Sequence, residues 1–284
     1  MNRHIIGLFA AAIVLAAVIS CTQNGGEELQ DPFHELTLDD IKWEEDASTA
    51  GCKIGAACPL SSDTTSVAKA VRQWIDRELG GTYGGDITDA QGMVDFYGQA
   101  RAQEIKANLN EYGENLETDQ YCDYTHFVKA YETGLLVTFT KEEYRYMQGA
   151  HDDGALSGAT FRKSDGLQLG WNMFTDEGIE KLRPLVRRTL MRRHFRIKNE
   201  EEFYDMLLVE DADSLFPLPE TAPFCRANGV QFVYQQYEIA PYSAGMPQCT
   251  LPYSMLDSLF APLMKPLVES TTDSLALTYK RNVR

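Results

Sequence analysis

The hydrophobic period of the chain changes near residue 120, and this change constrains the fold more than any other feature. Before it, Val67, Val71 and Ile75 recur at the spacing of one helix face, and Gly80 ends the pattern. After it, residues 121–131 alternate and are rich in aromatic side chains, as half-buried strands are. Because helices and strands are grouped rather than strictly alternating along the chain, the sequence predicts an α+β fold with antiparallel sheet.

Capping and turn residues bound the other elements. We expect Ser66, Asp89 and Asn199 to begin three helices, because short polar side chains at these positions accept hydrogen bonds from the first helical turn. The pair Asn228-Gly229 predicts a tight hairpin. The remaining predicted elements are strands at 135–140, 144–148, 159–163, 167–174 and 248–251, a small-residue loop at 149–158, and helices at 176–195 and 254–264.

The first residues predict export and lipid anchoring. Arg3 precedes an apolar stretch at 5–19, which is followed by Ser20 and Cys21. A basic start, an apolar stretch shorter than a bilayer-spanning helix and a small residue before the cut are typical of a secretory signal. The ending resembles the bacterial lipobox, the alternative being an ordinary signal peptide that contains a cysteine. We expect lipidation at Cys21 and a place in the cell envelope, at the outer membrane, on its periplasmic or its surface face.

The charge of the chain limits its partners. The formal net charge is -16, and residues 21–60 begin as a polar, acidic segment that predicts a linker and N-terminal strand region. Nucleic acid is excluded as a partner because it needs a basic footprint. A folded body of this charge is also unsuited to anionic lipid heads, so the membrane contact is expected through the lipid alone. A basic partner would be attracted.

Cysteines and histidines are scattered rather than clustered. Cys225 and Cys249 flank one strand-rich segment and are the candidates for a disulfide, the alternative being buried thiols. The mature histidines are isolated from one another, whereas a metal site usually takes two ligands close in sequence. The sequence therefore predicts neither a metal site nor a cofactor.

One motif near the C-terminal end is long enough to be specific. Residues 229–245 read Gly-Val-Gln-Phe-Val-Tyr-Gln-Gln-Tyr-Glu-Ile-Ala-Pro-Tyr-Ser-Ala-Gly, and Leu-Pro-Tyr follows at 251–253. Earlier in the chain a Gly-Ala-His loop stands at 149–151. In this order the motifs resemble the RsiV C-terminal-type family of unknown function.

The resemblance implies a domain organisation. It covers about residues 144–268, and the preceding stretch at 61–143 resembles the companion domain often found before this family. The predicted organisation is therefore a signal peptide at 1–20, a linker and strand region at 21–60, an N-terminal α+β domain at 61–143 and a C-terminal domain at 144–284. It implies two small α+β subdomains that share a continuous antiparallel region.

The resemblance implies little chemistry. The best understood type in the family is the extracellular part of an anti-sigma factor that senses lysozyme by binding it. This sequence departs from that type because nothing after Cys21 is apolar enough to span a bilayer, and because Asp152 stands where members often have glycine. Lysozyme binding is therefore expected here by analogy only.

Five residues are the candidates for a binding site, and no catalytic residue is assigned. They are His151, Asp152, Tyr237, Glu238 and Tyr242. Tyrosines with apolar bodies and polar tips suit protein or glycan surfaces, which favours non-catalytic binding of a protein or a peptidoglycan-like ligand. One alternative is a glycan or ester hydrolase that uses His151 with Asp152 or Glu238. Another is a structural partner in an envelope complex.

Overall fold

The computed structural model describes residues 36, 38–46, 53–60, 63–112, 121–147, 149–209 and 215–268. Within these ranges the helices are α1 (Ser66–Leu79), α2 (Ala90–Tyr112), α3 (Asp176–Arg193), α4 (Glu200–Asp205) and α5 (Tyr253–Leu256). The strands of a larger sheet are β1 (Asp39–Asp46), β2 (Lys53–Leu60), β3 (Tyr121–Glu132), β4 (Leu136–Met147), β5 (Asp153–Arg162) and β6 (Gln168–Leu169). A smaller sheet contains β7 (Phe224–Arg226), β8 (Gly229–Val233) and β9 (Gln248–Leu251).

Both sheets follow chain order, and the predicted α+β class is confirmed. Every strand pair is antiparallel among the described residues except β2 with β3, which is parallel. Helices α1 and α2 cover one face of the larger sheet, while the smaller sheet and α3 lie on its other side. The larger sheet therefore contributes one face to each of two hydrophobic cores.

Strand β4 shows how one strand serves both cores. Leu136 belongs to the core with α3 and the smaller sheet, whereas Val137 and Phe139 belong to the core with α1 and α2. Neighbouring residues of a strand point to opposite faces, so a strand covered on both faces has a continuous buried run. The predicted domain boundary at 143/144 falls inside this strand.

Two of the predicted strands form a single strand, β4. Part of a predicted loop also belongs to a strand, β5. The polar run Lys141-Glu142-Glu143 led to separate strands at 135–140 and 144–148, but β4 is continuous because Lys141 is held against Glu78 of α1 at 3.0 Å. The predicted loop at 149–158 is wrong from Asp153 onwards, where β5 begins. Small residues fit there because the other sheet packs closely on β5.

A buried polar contact joins the two sheets. Thr138 and Thr160 share a hydrogen bond of 2.8 Å between their hydroxyls, and the Cys225 amide donates to Thr160 Oγ1 at 2.8 Å. Beside them, a Cβ on Gly158 would lie 2.6 Å from the ring of Phe224. The sheets therefore approach too closely there for any larger side chain.

The helix ends agree with the predictions in part. Thr65, not Ser66, caps α1, since its Oγ1 accepts from the Ala68 amide. Asp89 and Asn199 accept the expected bonds at the starts of α2 and α4. The helix predicted at 254–264 is wrong beyond α5, because 3-10 turns at Asp257–Leu259 and Pro262–Met264 replace it.

The predicted disulfide between Cys225 and Cys249 is wrong, because both are free, buried thiols. They lie on β7 and β9, and β8 runs between these strands. Two strand spacings put the backbones about 9–10 Å apart, beyond the roughly 7 Å that a disulfide can span. Burial raises the pKa of the Cys225 thiol to about 11 and that of Cys249 to about 12. Cys122 is disulfide-bonded.

The predicted lipid attachment at Cys21 lies outside the described residues. Among the helices that the structure does describe, none has both the length and the apolar character needed to cross a bilayer.

Candidate functional site

The loop before β5 meets the segment that follows β8, and together they form a surface that we call the tyrosine–histidine surface, defined by His151, Asp152, Tyr237 and Tyr242. The rings of His151 and Tyr242 stack with centroids 3.8 Å apart and planes 20° apart. Tyr237 lies 6.1 Å from Tyr242 by ring centroids, and its hydroxyl is 3.1 Å from His151 Nε2. Four of the five candidate binding residues therefore lie together in the folded chain, although more than 80 residues of sequence separate the two segments that carry them.

The Tyr242 hydroxyl donates to the Asp152 carboxylate. This hydrogen bond, followed by partial burial, raises the pKa of Tyr242 to about 12, because the carboxylate favours the protonated phenol. Tyr242 is thus a neutral donor at ordinary pH and fixes Asp152 next to the stacked rings. His151 Nδ1 contacts the main-chain oxygen of Asp152 at 2.7 Å, which holds the imidazole in place.

Tyr237 has an unusual backbone conformation. Its φ is 64°, in the left-handed region, where a residue with a Cβ is strained. The side chain is nevertheless 52% exposed, so burial in the core does not explain the strain. Strained residues persist only where their surroundings over-determine them, and they cluster at functional sites.

Glu238 fastens the turn that carries Tyr237. Its Oε2 accepts from the Gln235 amide at 2.7 Å, and its Oε1 accepts from the Glu220 amide at 2.8 Å. Both carboxylate oxygens are thus bound to main-chain donors. Glu238 thus supports the turn, and it makes no hydrogen bond to the side chains of the other four candidates among the described contacts.

Two glutamines that are not among the predicted site residues connect the same turn to β5. The Gln235 amide accepts from the Leu156 N–H at 3.1 Å and donates to the Leu156 carbonyl at 2.8 Å. Gln236 Oε1 accepts from the Gly154 N–H at 3.2 Å. Side chains therefore take the place of a neighbouring strand along this edge of β5. No sequence signal marks such a role, because it depends on where β5 lies.

Tyr144 extends the surface and was also missed as a site residue. It is 46% exposed and pairs across the sheet with Tyr124 on one side and Gly154 on the other. Gly154 and Thr160 are an even number of residues apart, so they and Tyr144 share the face towards the smaller sheet. Tyr144 also contributes to the raised pKa of Tyr242, though less than Asp152, burial and Tyr237 do. The alternation of side chains along β3 and β4 was the sequence signal that could have placed Tyr144 on this face.

The geometry of the surface suits binding better than acid–base chemistry. A histidine base is usually oriented by a carboxylate on its other nitrogen. Here the Asp152 carboxylate accepts from Tyr242, and His151 contacts the Asp152 main chain instead. The surface presents exposed aromatic rings with fixed hydroxyl groups, next to the carboxylate of Asp152. Among the described residues, no group of three or more His, Cys, Asp or Glu side chains is arranged to hold a metal ion.

Comparisons with known proteins agree with this fold. The family model described as a protein of unknown function, DUF3298, matches residues 172–254, which include Tyr237, Glu238 and Tyr242 but not His151. No protein with a curated description is similar enough to match.

Two solved structures share the architecture. A member of the DUF3298 family from Bacteroides fragilis superposes with a TM-score of 0.67 at 19% sequence identity, covering 85% of this chain and 99% of that chain. A DUF3298 family protein from Pseudomonas aeruginosa gives a TM-score of 0.57 at 14% identity, covering 81% of this chain and 97% of that chain. At these identities the likeness shows a common fold.

Proposed function

We propose that the mature protein is a lipid-anchored component of the cell envelope that binds a basic protein ligand, without catalysis, through the tyrosine–histidine surface. The observation that carries the proposal is the exposed, strained Tyr237 beside the stacked rings of His151 and Tyr242. Tyrosine is enriched at binding interfaces because its ring supplies apolar area while its hydroxyl supplies a hydrogen bond.

A basic protein is favoured over a glycan by charge and by ring geometry. Asp152 lies within the surface, and the chain as a whole carries a formal charge of -16, which draws a cationic partner towards it. One face of the Tyr242 ring is already covered by His151, which reduces the area open to a stacked sugar. Arginine and lysine side chains of a partner would gain from both the ring faces and the carboxylate. The resemblance to the lysozyme-sensing type supports the same choice by analogy.

Calorimetry on the acylated mature chain, from Cys21 onwards, in detergent tests the binding. Lysozyme, a basic protein, is titrated in one arm and soluble peptidoglycan fragments in the other. We expect saturable binding of lysozyme, weakened about tenfold or more by Tyr237→Ala, which is the order of one interface hot spot.

The control is Phe96→Ala, which removes an aromatic ring of similar exposure from α2, on the opposite face of the larger sheet. Its affinity should equal that of the unaltered chain. Absence of lysozyme binding, or equal loss in the two variants, would refute the proposed ligand. Binding of the fragments alone, sensitive to Tyr237→Ala, would replace it by a glycan.

The anchor is tested separately. A labelled fatty acid should be incorporated into the unaltered chain and not into Cys21→Ala, and the variant should leave the membrane fraction. Equal membrane retention of both forms would refute lipid anchoring at Cys21.

A further inference from the structure

We infer, on the basis of the proposed function, that the basic partner also covers the open part of the larger sheet, on the face that carries Tyr144. A stable protein–protein interface takes about 800 Å² from each partner, with roughly 20–30 residues on each side. The tyrosine–histidine surface is defined by four residues, which cannot supply this area alone. The remainder of the interface must therefore lie on a surface that adjoins it.

The adjoining surface is set by the pairing of β3 with β4. Tyr124 is the direct partner of Tyr144, and His126 is the direct partner of Glu142. Direct partners in an antiparallel pair point to the same face, so these four residues lie together, and we call them the open sheet face. Tyr144, Glu142 and His126 are exposed. The smaller sheet packs on the other end of the same face, at Gly158.

The open sheet face continues directly into the tyrosine–histidine surface. Tyr144 pairs on its other side with Gly154, which follows Asp152 by two residues. The Gly154 N–H also donates to Gln236, the neighbour of Tyr237. One partner surface can therefore cover both regions.

The combined region is acidic. Strand β1 reaches the same face through its pairing with β2 and that of β2 with β3. Asp46 and Lys53, direct partners at the end of β1 and β2, cancel in formal charge. The other charged residues that the register places on this face of β1 to β5, together with Asp152 at its border, are Asp40, Lys42, Glu44 and Glu142. Four carboxylates therefore stand against one ammonium group, which complements a cationic partner.

The other neighbour of the tyrosine–histidine surface is mixed in charge. His194 Nε2 contacts the Ala244 main-chain oxygen at 3.0 Å, so α3 ends beside the turn that carries Tyr242. Exposed guanidinium groups without a salt bridge among the described residues lie at this end, and carboxylates follow in α4; they belong to Arg188, Arg192, Arg193 and Arg196, and to Glu201 and Glu202. A basic partner therefore gains more from the sheet side than from the side of α3.

The test measures the association of lysozyme with the acylated mature chain in detergent, for the unaltered chain, Glu142→Gln and Glu142→Lys. Glutamine removes one attraction, and lysine replaces it by a repulsion. At about 0.1 M salt we expect the affinity to fall about two- to threefold with glutamine and about three- to tenfold with lysine, mostly through a slower association rate. At about 1 M salt the differences should disappear, because exposed charges are then screened within about 3 Å.

The matched control is Asp257→Lys, which changes the net charge by the same amount as Glu142→Lys. Asp257 is exposed and begins the 3-10 turn at the other end of α3, where the Leu259 carbonyl accepts from the Thr175 amide at 3.1 Å. Since α3 has 18 residues, it spans about 27 Å, well beyond the Debye length of about 10 Å at 0.1 M salt. This variant should bind lysozyme like the unaltered chain. Thermal unfolding of the variants should stay close to that of the unaltered chain, because both positions are exposed.

Two results would overturn the inference. One is a Glu142→Lys variant that binds lysozyme as tightly and as fast as the unaltered chain. The other is an Asp257→Lys variant that loses as much affinity as Glu142→Lys, which would show attraction by net charge alone. If Tyr237→Ala weakens lysozyme binding and Glu142→Lys does not, the tyrosine–histidine surface stands without the open sheet face. Absence of lysozyme binding to the unaltered chain would overturn both.

Discussion

Replacing Tyr237 by glycine and by alanine tests whether this residue is kept for its surface role at a cost in stability. In most positions glycine is less stable than alanine, because it loses more backbone freedom on folding. At φ 64° the order should reverse, since a Cβ in the left-handed region costs roughly 1–2 kcal/mol. After subtracting about 0.5–1 kcal/mol for the entropy of glycine, we expect Tyr237→Gly to be more stable than Tyr237→Ala by about 0.5–1 kcal/mol.

The loss of the ring itself should lower the free energy of unfolding only slightly. The side chain is half exposed, and its hydrogen bond to His151 lies at the surface, so neither variant should disturb the core. Both variants should lose ligand binding alike. Tyr237→Gly would then be a protein of nearly unaltered stability without its binding activity.

The assay is equilibrium unfolding in urea. The free energies of unfolding are compared between variants whose free energy depends equally on urea concentration. The matched control is the same pair of substitutions at Gln73, an exposed position inside α1. There alanine should be more stable than glycine by about 1 kcal/mol, the ordinary helical preference. If alanine is the more stable residue at both positions, Tyr237 is not in the left-handed region in solution, and the argument from backbone strain is refuted.

Three further outcomes follow from polar contacts. Thr160→Val should lower the free energy of unfolding by about 1–3 kcal/mol, measured in urea, because it leaves the Cys225 amide without an acceptor; an unchanged midpoint would contradict this. Asp152→Asn should lower the pKa of Tyr242 from about 12 towards its ordinary 10.0, seen in an ultraviolet titration of the phenol; no movement would show that the carboxylate is not the cause. Burial opposes ionisation of Glu132, yet its hydrogen bonds from Lys129, Lys163 and the Leu36 amide lower the pKa below 4.5. The stability that Glu132 contributes should be present above pH 4.5 and lost as pH falls through the folded pKa, and Glu132→Gln should flatten this dependence in unfolding curves.

Much of the secondary structure could be predicted because its causes are local. The apolar face of α1, the turn at Asn228-Gly229 and strand β9 depend on residues a few positions apart. Predictions failed where a distant element supplied the deciding contact. Strand β4 continues through a polar run because α1 provides the partner of Lys141, and no local pattern contains that information.

The candidate site, too, could be predicted from the sequence only in part. The sequence by itself marked both halves of the surface, the Gly-Ala-His loop and the Tyr-Glu-Ile-Ala-Pro-Tyr segment, through their resemblance to a known family and through tyrosines of the kind that suits binding surfaces. Only the tertiary structure decided that His151 stacks on Tyr242 and that the Glu238 carboxylate binds main-chain amides.

The same division between local and tertiary information holds for the thiols and for the ion pair of Asp123 with Arg145. Spacing along the chain made Cys225 and Cys249 a plausible pair, but the order of strands put β8 between them. Asp123 and Arg145 look unrelated in sequence, and pairing of β3 with β4 makes them neighbours. Local propensity and composition are fixed by short-range chemistry, whereas the meeting of side chains depends on which strands pair and which faces are covered.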